Sequence, residues 1–281
     1  MPEIAYTLDG LADRVRALGA RRVLVVCPPS RRHVDPIVAA LAPLSPVVFD
    51  GAKVHVPVEV VEAAAARLAD TGADTIVAVG GGSAIGLGKA LRLAHDVRFV
   101  AVPTTYAGSE RTRLYGTTRG RDKTTGRDER VRPDLIVYEV AFTRSLPVAL
   151  TVQSLMNALA HVISAASTGS VTDFAAAAQV VRAIEDLLMW PTDARARDHA
   201  LRAASACAVA ADVGKVGAQH GLAHLLGGAL GVDHAPLHAI LLPQFVSSLP
   251  DALRGELERA LGRRELDGYL HDLLVRAGAP V

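Results

Sequence analysis

Along the first half of the chain the apolar positions alternate between two periods. RRVLVVCPP (21–29) is a short β-branched run closed by prolines, which predicts a buried strand. RRHVDPIVAALAPL then carries apolar residues at helical spacing, and SPVVFDG reads as a second strand. VPVEVVEAAAARLADTG is helical, with Gly72 as its stop. ADTIVAVGGGS predicts a strand and a glycine turn, AIGLGKALRLAHD a helix, and RFVAVPTT another strand. A helix is also expected at 8–18. Strand and helix in this rhythm predict a parallel sheet covered by helices on both faces.

After about Pro147 the period-2 signal ends. Alanine- and leucine-rich helical segments are expected near 152–167, 172–189, 194–213, 217–229, 234–248, 251–260 and 265–277. The fold class is therefore an α/β domain over residues 1–148 followed by an all-α domain over 149–281. A cleft between two such domains is a favoured place for a ligand.

Composition narrows the function classes. Half of the 281 residues are hydrophobic and the formal net charge is +1, which removes the electrostatic argument for a nucleic-acid or anionic-membrane partner. Cys27 and Cys207 lie far apart, so neither a disulfide framework nor a thiolate metal site is suggested. MPEIAYTLDGL lacks a basic stretch followed by an apolar core, and no apolar run reaches bilayer length uninterrupted. The expectation is a cytoplasmic protein acting on a small molecule.

Two strand ends carry candidate chemistry. VAVGGGSAIGLGKA places Gly80, Gly81 and Gly82 between a strand and a helix, where backbone can approach a pyrophosphate at a helix N-terminus. Ser83 can cap that helix or donate to a phosphate oxygen, and a plain tight turn is the alternative reading. AVPTTYAGSE ends the next strand in Thr104 and Thr105, either turn chemistry or partners for a nucleotide. The polar segment 111–134 is either a solvated hairpin or, through its arginines and Lys123, a holder of anionic groups.

The helical half gathers histidines. Asn157 and His161 stand four apart, as do His220 and His224, and His234 follows a GG turn. Satisfied core histidines and a shared site remain equally open on spacing, and there is no H-E-x-x-H motif.

Together, GGGSAIGLGKA, PTTYAGSE, KTTGRD, NALAH, HGLAH and DHAPLHAILLP resemble the maleylacetate reductases, a branch of the iron-containing alcohol dehydrogenase superfamily with the dehydroquinate synthase-like fold. GAKVHVPVE (51–59) fits the same branch, and the likeness runs over nearly the whole chain. It implies an N-terminal Rossmann-like domain, a helical C-terminal domain and a homodimer. It also implies NADH or NADPH as cofactor, with Gly80, Gly81, Gly82 and Ser83 at the pyrophosphate, Thr104 and Thr105 at the nicotinamide half, and Lys123 at a ribose hydroxyl. Asn157, His161, His220 and His234 correspond to the metal-ligand positions of metal-dependent members, and His224 to a proton relay. Asparagine in place of aspartate matches the branch thought to work without metal.

The implied activity is hydride transfer to an unsaturated keto acid, with His224 supplying a proton and His161, His220 and His234 polarising oxygens. Within the resembling segments, Gly221 and Ala223 replace residues of HHKLCH, Gln244 replaces a histidine and Ser164 a glutamate. Members of the branch also extend further at both ends, with a strand region before the first helix. These departures motivate a second expectation, a repurposed non-redox biosynthetic enzyme on the same scaffold. His238 is expected to be structural. The acidic residue that selects a free ribose 2′-hydroxyl after an early strand is absent from VVCPPS, so the choice of cofactor stays open.

Overall fold

A computed structural model describes residues 2–120, 122–214, 217–230 and 234–281, apart from the side chains at 224, 228–230 and 234. It divides into two compact units, one of residues 1–104 and 109–142, the other of 105–108 and 143–281.

In the first unit the strands β1 (Glu3–Ala5), β2 (Val23–Val26), β3 (Val47–Phe49), β4 (Thr75–Gly80), β5 (Arg98–Pro103) and β8 (Leu135–Val137) form one parallel sheet. Its order is β1-β8-β5-β4-β2-β3. The helices α1 (Leu11–Ala17), α2 (Val34–Ala40), α3 (Val58–Thr71) and α4 (Gly82–Ala94) alternate with the strands. β4, TIVAVG, is buried throughout, as a continuous apolar run in a doubly covered parallel strand should be. Val23, Val25, Val77, Val79, Val100 and Val102 share one core with Leu11 and Val15 of α1 and Val34 and Ile37 of α2. Phe99, on the opposite face, packs so close to Gly88 of α4 that a Cβ there would lie 2.4 Å from its ring. α3 ends at Gly72 in the left-handed conformation (φ 61°), the expected stop.

Two strands differ from the expectation, and one of the two readings of a polar segment is observed. A three-residue strand, β1, precedes α1 and pairs in parallel with β8, so a strand does stand before the first helix. β8 itself, LIV, gave too short a run to register. Segment 111–134 contains an antiparallel hairpin, β6 (Leu114–Arg119) and β7 (Asp122–Arg127), outside the main sheet.

The second unit holds α5 (Val148–Ser167), α6 (Ala175–Met189), α7 (Ala194–Val213), α8 (Ala218–Leu230), α9 (His234–Ser247), α10 (Asp251–Leu261) and α11 (Leu266–Arg276). α5 packs against α6, α7, α8, α9 and α11, which buries nearly every residue from Thr151 to Ala166. It is long and apolar enough to cross a bilayer, but this burial marks it as the core helix of the unit. Asp193 caps α7, accepting from Arg195 N at 2.8 Å and Ala196 N at 2.9 Å.

Candidate active site

The parallel sheet fixes where a nucleotide can sit. From β2 the chain moves outward to β3, then returns past β2 to β4, so the order reverses between β2 and β4. In open α/β sheets ligands bind at the carboxyl ends of the strands at such a point. Gly80 ends β4 there with φ 146°, and a Cβ on it would come within 3.2 Å of Pro28, just past β2. Gly81 is the N-cap of α4 and no side chain caps that helix, so Ser83 is a first-turn residue rather than a cap. First-turn N–H groups have no intrahelical acceptor, and a Cβ on Gly82 would meet no atom within 4 Å. Glycine at 80 is demanded by the backbone, whereas glycine at 82 leaves open space before a positive helix end. Thr104 donates its N–H to Gly80 O at 3.0 Å, which places it beside the turn.

A buried polar network supports this turn. Lys89 of α4 is fully buried and donates to Thr112 O (2.8 Å), Thr112 Oγ1 (3.0 Å) and Leu114 O (2.7 Å). Its ammonium thereby ties the helix carrying the glycine turn to the base of the β6–β7 hairpin. Glu110, also buried, accepts from Tyr138 OH at 2.8 Å, and burial raises its carboxyl above the ordinary value. Thr118 of β6 donates through Oγ1 to His55 O (2.9 Å) and through N to Val56 O (3.1 Å). Val56 holds φ 50°, a real strain for a β-branched residue, and its Cγ2 would be 2.7 Å from a Cβ on Gly86. GAKVHVPVE is thus the brace between α4 and the hairpin.

Lys123 lies on β7 opposite Thr118, exposed as a residue, with partial burial of its ammonium lowering its pKa. Four of the neighbouring arginines are engaged in ion pairs. Arg113 pairs with Glu129, Arg119 with Glu62, Arg130 with Asp128 and Arg132 with Glu129.

The PTTYAGSE stretch is divided between the units: Thr104 ends in the first, and Thr105 begins the 105–108 segment of the second. There Tyr106 is buried, and its hydroxyl lies 3.4 Å from Arg197 Nη1. Arg197, itself buried, also donates to Thr151 Oγ1 at 2.8 Å, Pro191 O at 2.8 Å and Leu146 O at 3.1 Å. Gly108, with φ 74°, lies against Ala208.

In the helical unit, Gln153, Asn157, His161 and Ser164 recur on one face of the otherwise apolar α5. Gln153, Asn157 and Ser164 are buried, and Ser164 Oγ has no hydrogen-bond partner among the described residues. The His161 ring lies 5.0 Å from that of His220 on α8, centroid to centroid, so the structure brings these two predicted residues together. His220 is in turn 4.2 Å from His238 of α9, a residue whose expected role is structural. The side chains of His224 and His234 lie outside the described residues. Cys27 and Cys207 are free and buried, and burial pushes their thiols up to about 11 and about 12, far from nucleophilic use.

The glycine cradle fits a dinucleotide pyrophosphate. The helical site is described in part, since the side chain of His234 lies outside the described residues. Its described donors are two imidazoles and the neutral amide of Asn157, and among the described residues no three His, Cys, Asp or Glu side chains converge on one point. An amide is a weaker ligand for such an ion than a carboxylate.

A Rossmann-like unit with a glycine turn at its switch point, joined to a helical unit with a buried polar stripe, is the build of a nucleotide-dependent enzyme. Residues 5–140 match the iron-containing alcohol dehydrogenase family, and residues 151–263 match the C-terminal part of the Fe-containing alcohol dehydrogenase family. Maleylacetate reductase 1 of Cupriavidus pinatubonensis is 40% identical over 287 residues, covering 99% of this chain and 81% of that protein. The maleylacetate reductase of Pseudomonas sp. strain P51 is 38% identical, covering 99% and 82%. The solved maleylacetate reductase of Rhizobium sp. strain MTP-10005 superposes with a TM-score of 0.88 at 34% identity, over 100% of this chain and 83% of that one. The chain belongs to the iron-containing alcohol dehydrogenase family, in its maleylacetate reductase branch. It is an oxidoreductase, a reductase that uses NAD(P)H.

Proposed function

We propose that the chain reduces an unsaturated keto acid of the maleylacetate type without a metal ion. Gly80, Gly81, Gly82 and Ser83 hold the pyrophosphate, Thr104 and Thr105 the nicotinamide half, and Lys123 a ribose hydroxyl. Bound reduced nicotinamide supplies the hydride, which adds to the carbon–carbon double bond conjugated to the keto group. The electron pair moves onto the keto oxygen, and a proton completes the reduction at the neighbouring carbon.

His161 and His220 hydrogen-bond the substrate's oxygens and stabilise the developing enolate, with Asn157 orienting the substrate beside them. Donors fixed before the reaction need no reorganisation as that charge forms. His224 is assigned the proton and His234 a further oxygen contact, both by resemblance to the branch. The observation that carries the reading is the pairing of the His161 and His220 rings at 5.0 Å beside the buried Asn157 on α5. Asn157 in a carboxylate's place supports a reaction free of metal.

The test mixes protein with maleylacetate and NADH, then NADPH, and follows loss of reduced-nicotinamide absorbance before and after exhaustive chelation. Turnover that survives chelation is expected. Absence of turnover with both cofactors defeats the substrate assignment, and turnover restored only by added iron or zinc defeats the metal-free one.

A further inference from the structure

The row of imidazoles does not end at the two histidines assigned to the substrate. His238 is 3% exposed and Gln219 is 2% exposed, so both are polar side chains deep in the helical core. They hold each other at two points. Gln219 Nε2 donates to His238 O at 3.3 Å, and His238 Nδ1 lies 3.1 Å from Gln219 Oε1. Because the amide nitrogen is committed to the carbonyl, Oε1 is the atom that faces the ring, and a carboxamide oxygen only accepts. His238 Nδ1 therefore carries the proton, which fixes both its tautomer and its ring plane.

That fixed ring packs 4.2 Å from His220, inclined at 46°. His220 is the ring common to both contacts, since His161 lies 5.0 Å from it. Burying an amide and an imidazole costs desolvation that a leucine at either position would avoid, and the two mutual hydrogen bonds only offset that cost. A contact needed merely to pack α8 on α9 has no use for this pair. A rigid polar wall against the functional imidazole does.

We propose that Gln219 and His238 are positioning residues for His220, holding the plane in which its imidazole meets the substrate's oxygens. The proposal rests on the role given to His220 above and extends it to two residues not assigned there. Orienting partners behind an active imidazole are worth about 10–100-fold in activity where they have been removed in metal sites, and a similar scale applies here.

The test uses the full chain with NADH and maleylacetate, and the variants Gln219→Leu and His238→Phe. The first removes both hydrogen bonds; the second keeps a ring of similar shape and the backbone bond but leaves Gln219 Oε1 without its imidazole partner. Each is expected to lower kcat about tenfold or more while the KM for NADH changes by less than about twofold. Imidazole nitrogen resonances of protein labelled with 15N-histidine supply a readout independent of turnover. The wild type is expected to show a protonated Nδ1 at His238, and the His220 resonances to shift in both variants.

Unchanged kcat together with unmoved His220 resonances overturns the proposal, even if melting temperature falls. A wild type that turns over no maleylacetate sinks the substrate assignment instead, and the resonances then decide the positioning role alone. Should Gln219→Leu fail to fold, His238→Phe carries both measurements.

Discussion

Gly82 and Gly88 stand six residues apart on α4 and are glycine for opposite reasons. A side chain at 88 collides with the protein itself, 2.4 Å from the Phe99 ring and 3.2 Å from Ala78. A side chain at 82 collides with nothing in the protein. Gly88→Ala is therefore expected to cost about 1–3 kcal/mol through overpacking and to lower the melting temperature. Gly82→Ala is expected to leave the melting temperature within about 1 °C and to weaken NADH about tenfold, a loss of about 1.4 kcal/mol at the pyrophosphate. Calorimetry and cofactor titration of the two variants check the pair. Equal cofactor affinity in Gly82→Ala and wild type would remove the pyrophosphate from this turn. Residue-level legibility was uneven in the same way. The glycine turn declares itself because three adjacent glycines are rare, whereas Gln219 and His238 acquire meaning only when α8 and α9 pack.

Among elements, the long ones announced themselves and the short ones did not. α7 fills the expected 194–213 because a 20-residue helix offers more than five turns of periodicity and Asp193 as cap. β1 and β8 have three residues each, too few to show any period, and exist because parallel pairing with each other and with β5 completes them. The hairpin was ambiguous because its strands read as polar on both faces; braces from Lys89 and Val56, distant in sequence, resolve it. The same logic of distant partners operates at the N-terminal ends of β2 and β4. Asp74, just before β4, accepts from Arg21 N at 3.1 Å, Arg22 N at 3.3 Å and Thr75 Oγ1 at 3.0 Å. Burial alone would raise its pKa, but the N–H groups of Arg21 and Arg22 outweigh that and lower it. A depressed folded-state value means stability that is complete above the ordinary aspartate value of about 3.9 and is lost as pH falls through the lower folded one. Asp74→Ala is expected to cost about 1–2 kcal/mol near neutral pH, with the gap to wild type closing as the pH falls below the ordinary aspartate value. Urea unfolding at neutral and acid pH measures it, and a gap that persists undiminished in acid would assign the cost to packing rather than to the carboxylate.

At the scale of the whole molecule, the proposed cofactor contacts, Thr105 apart, fall in the first unit and the proposed substrate contacts in the second, which makes the functional reading testable without any turnover. Cofactor contacts are assigned to α4, the end of β5, the hairpin and Thr105. Substrate contacts are assigned to α5, α8 and α9. A ligand stabilises what it binds by RT ln(1 + [L]/Kd), about 2.7 kcal/mol at a hundred times Kd, and local amide exchange slows accordingly. NADH alone at that excess is therefore expected to slow exchange about a hundredfold across the first turn of α4 and around Lys123, the positions proposed to hold its pyrophosphate and a ribose hydroxyl. The saturated keto diacid, which the proposed reduction would release, is expected to protect α5 around Asn157 and His161 and α8 around His220. Protection should respond to each ligand at its own proposed contacts even in a variant with no catalytic activity, so binding is read apart from chemistry. NADH protection confined to α8 and α9, with the glycine turn exchanging at its free rate, would reverse the assignment of tasks. The histidines would then have to be reconsidered as part of the cofactor site, and His238 with them.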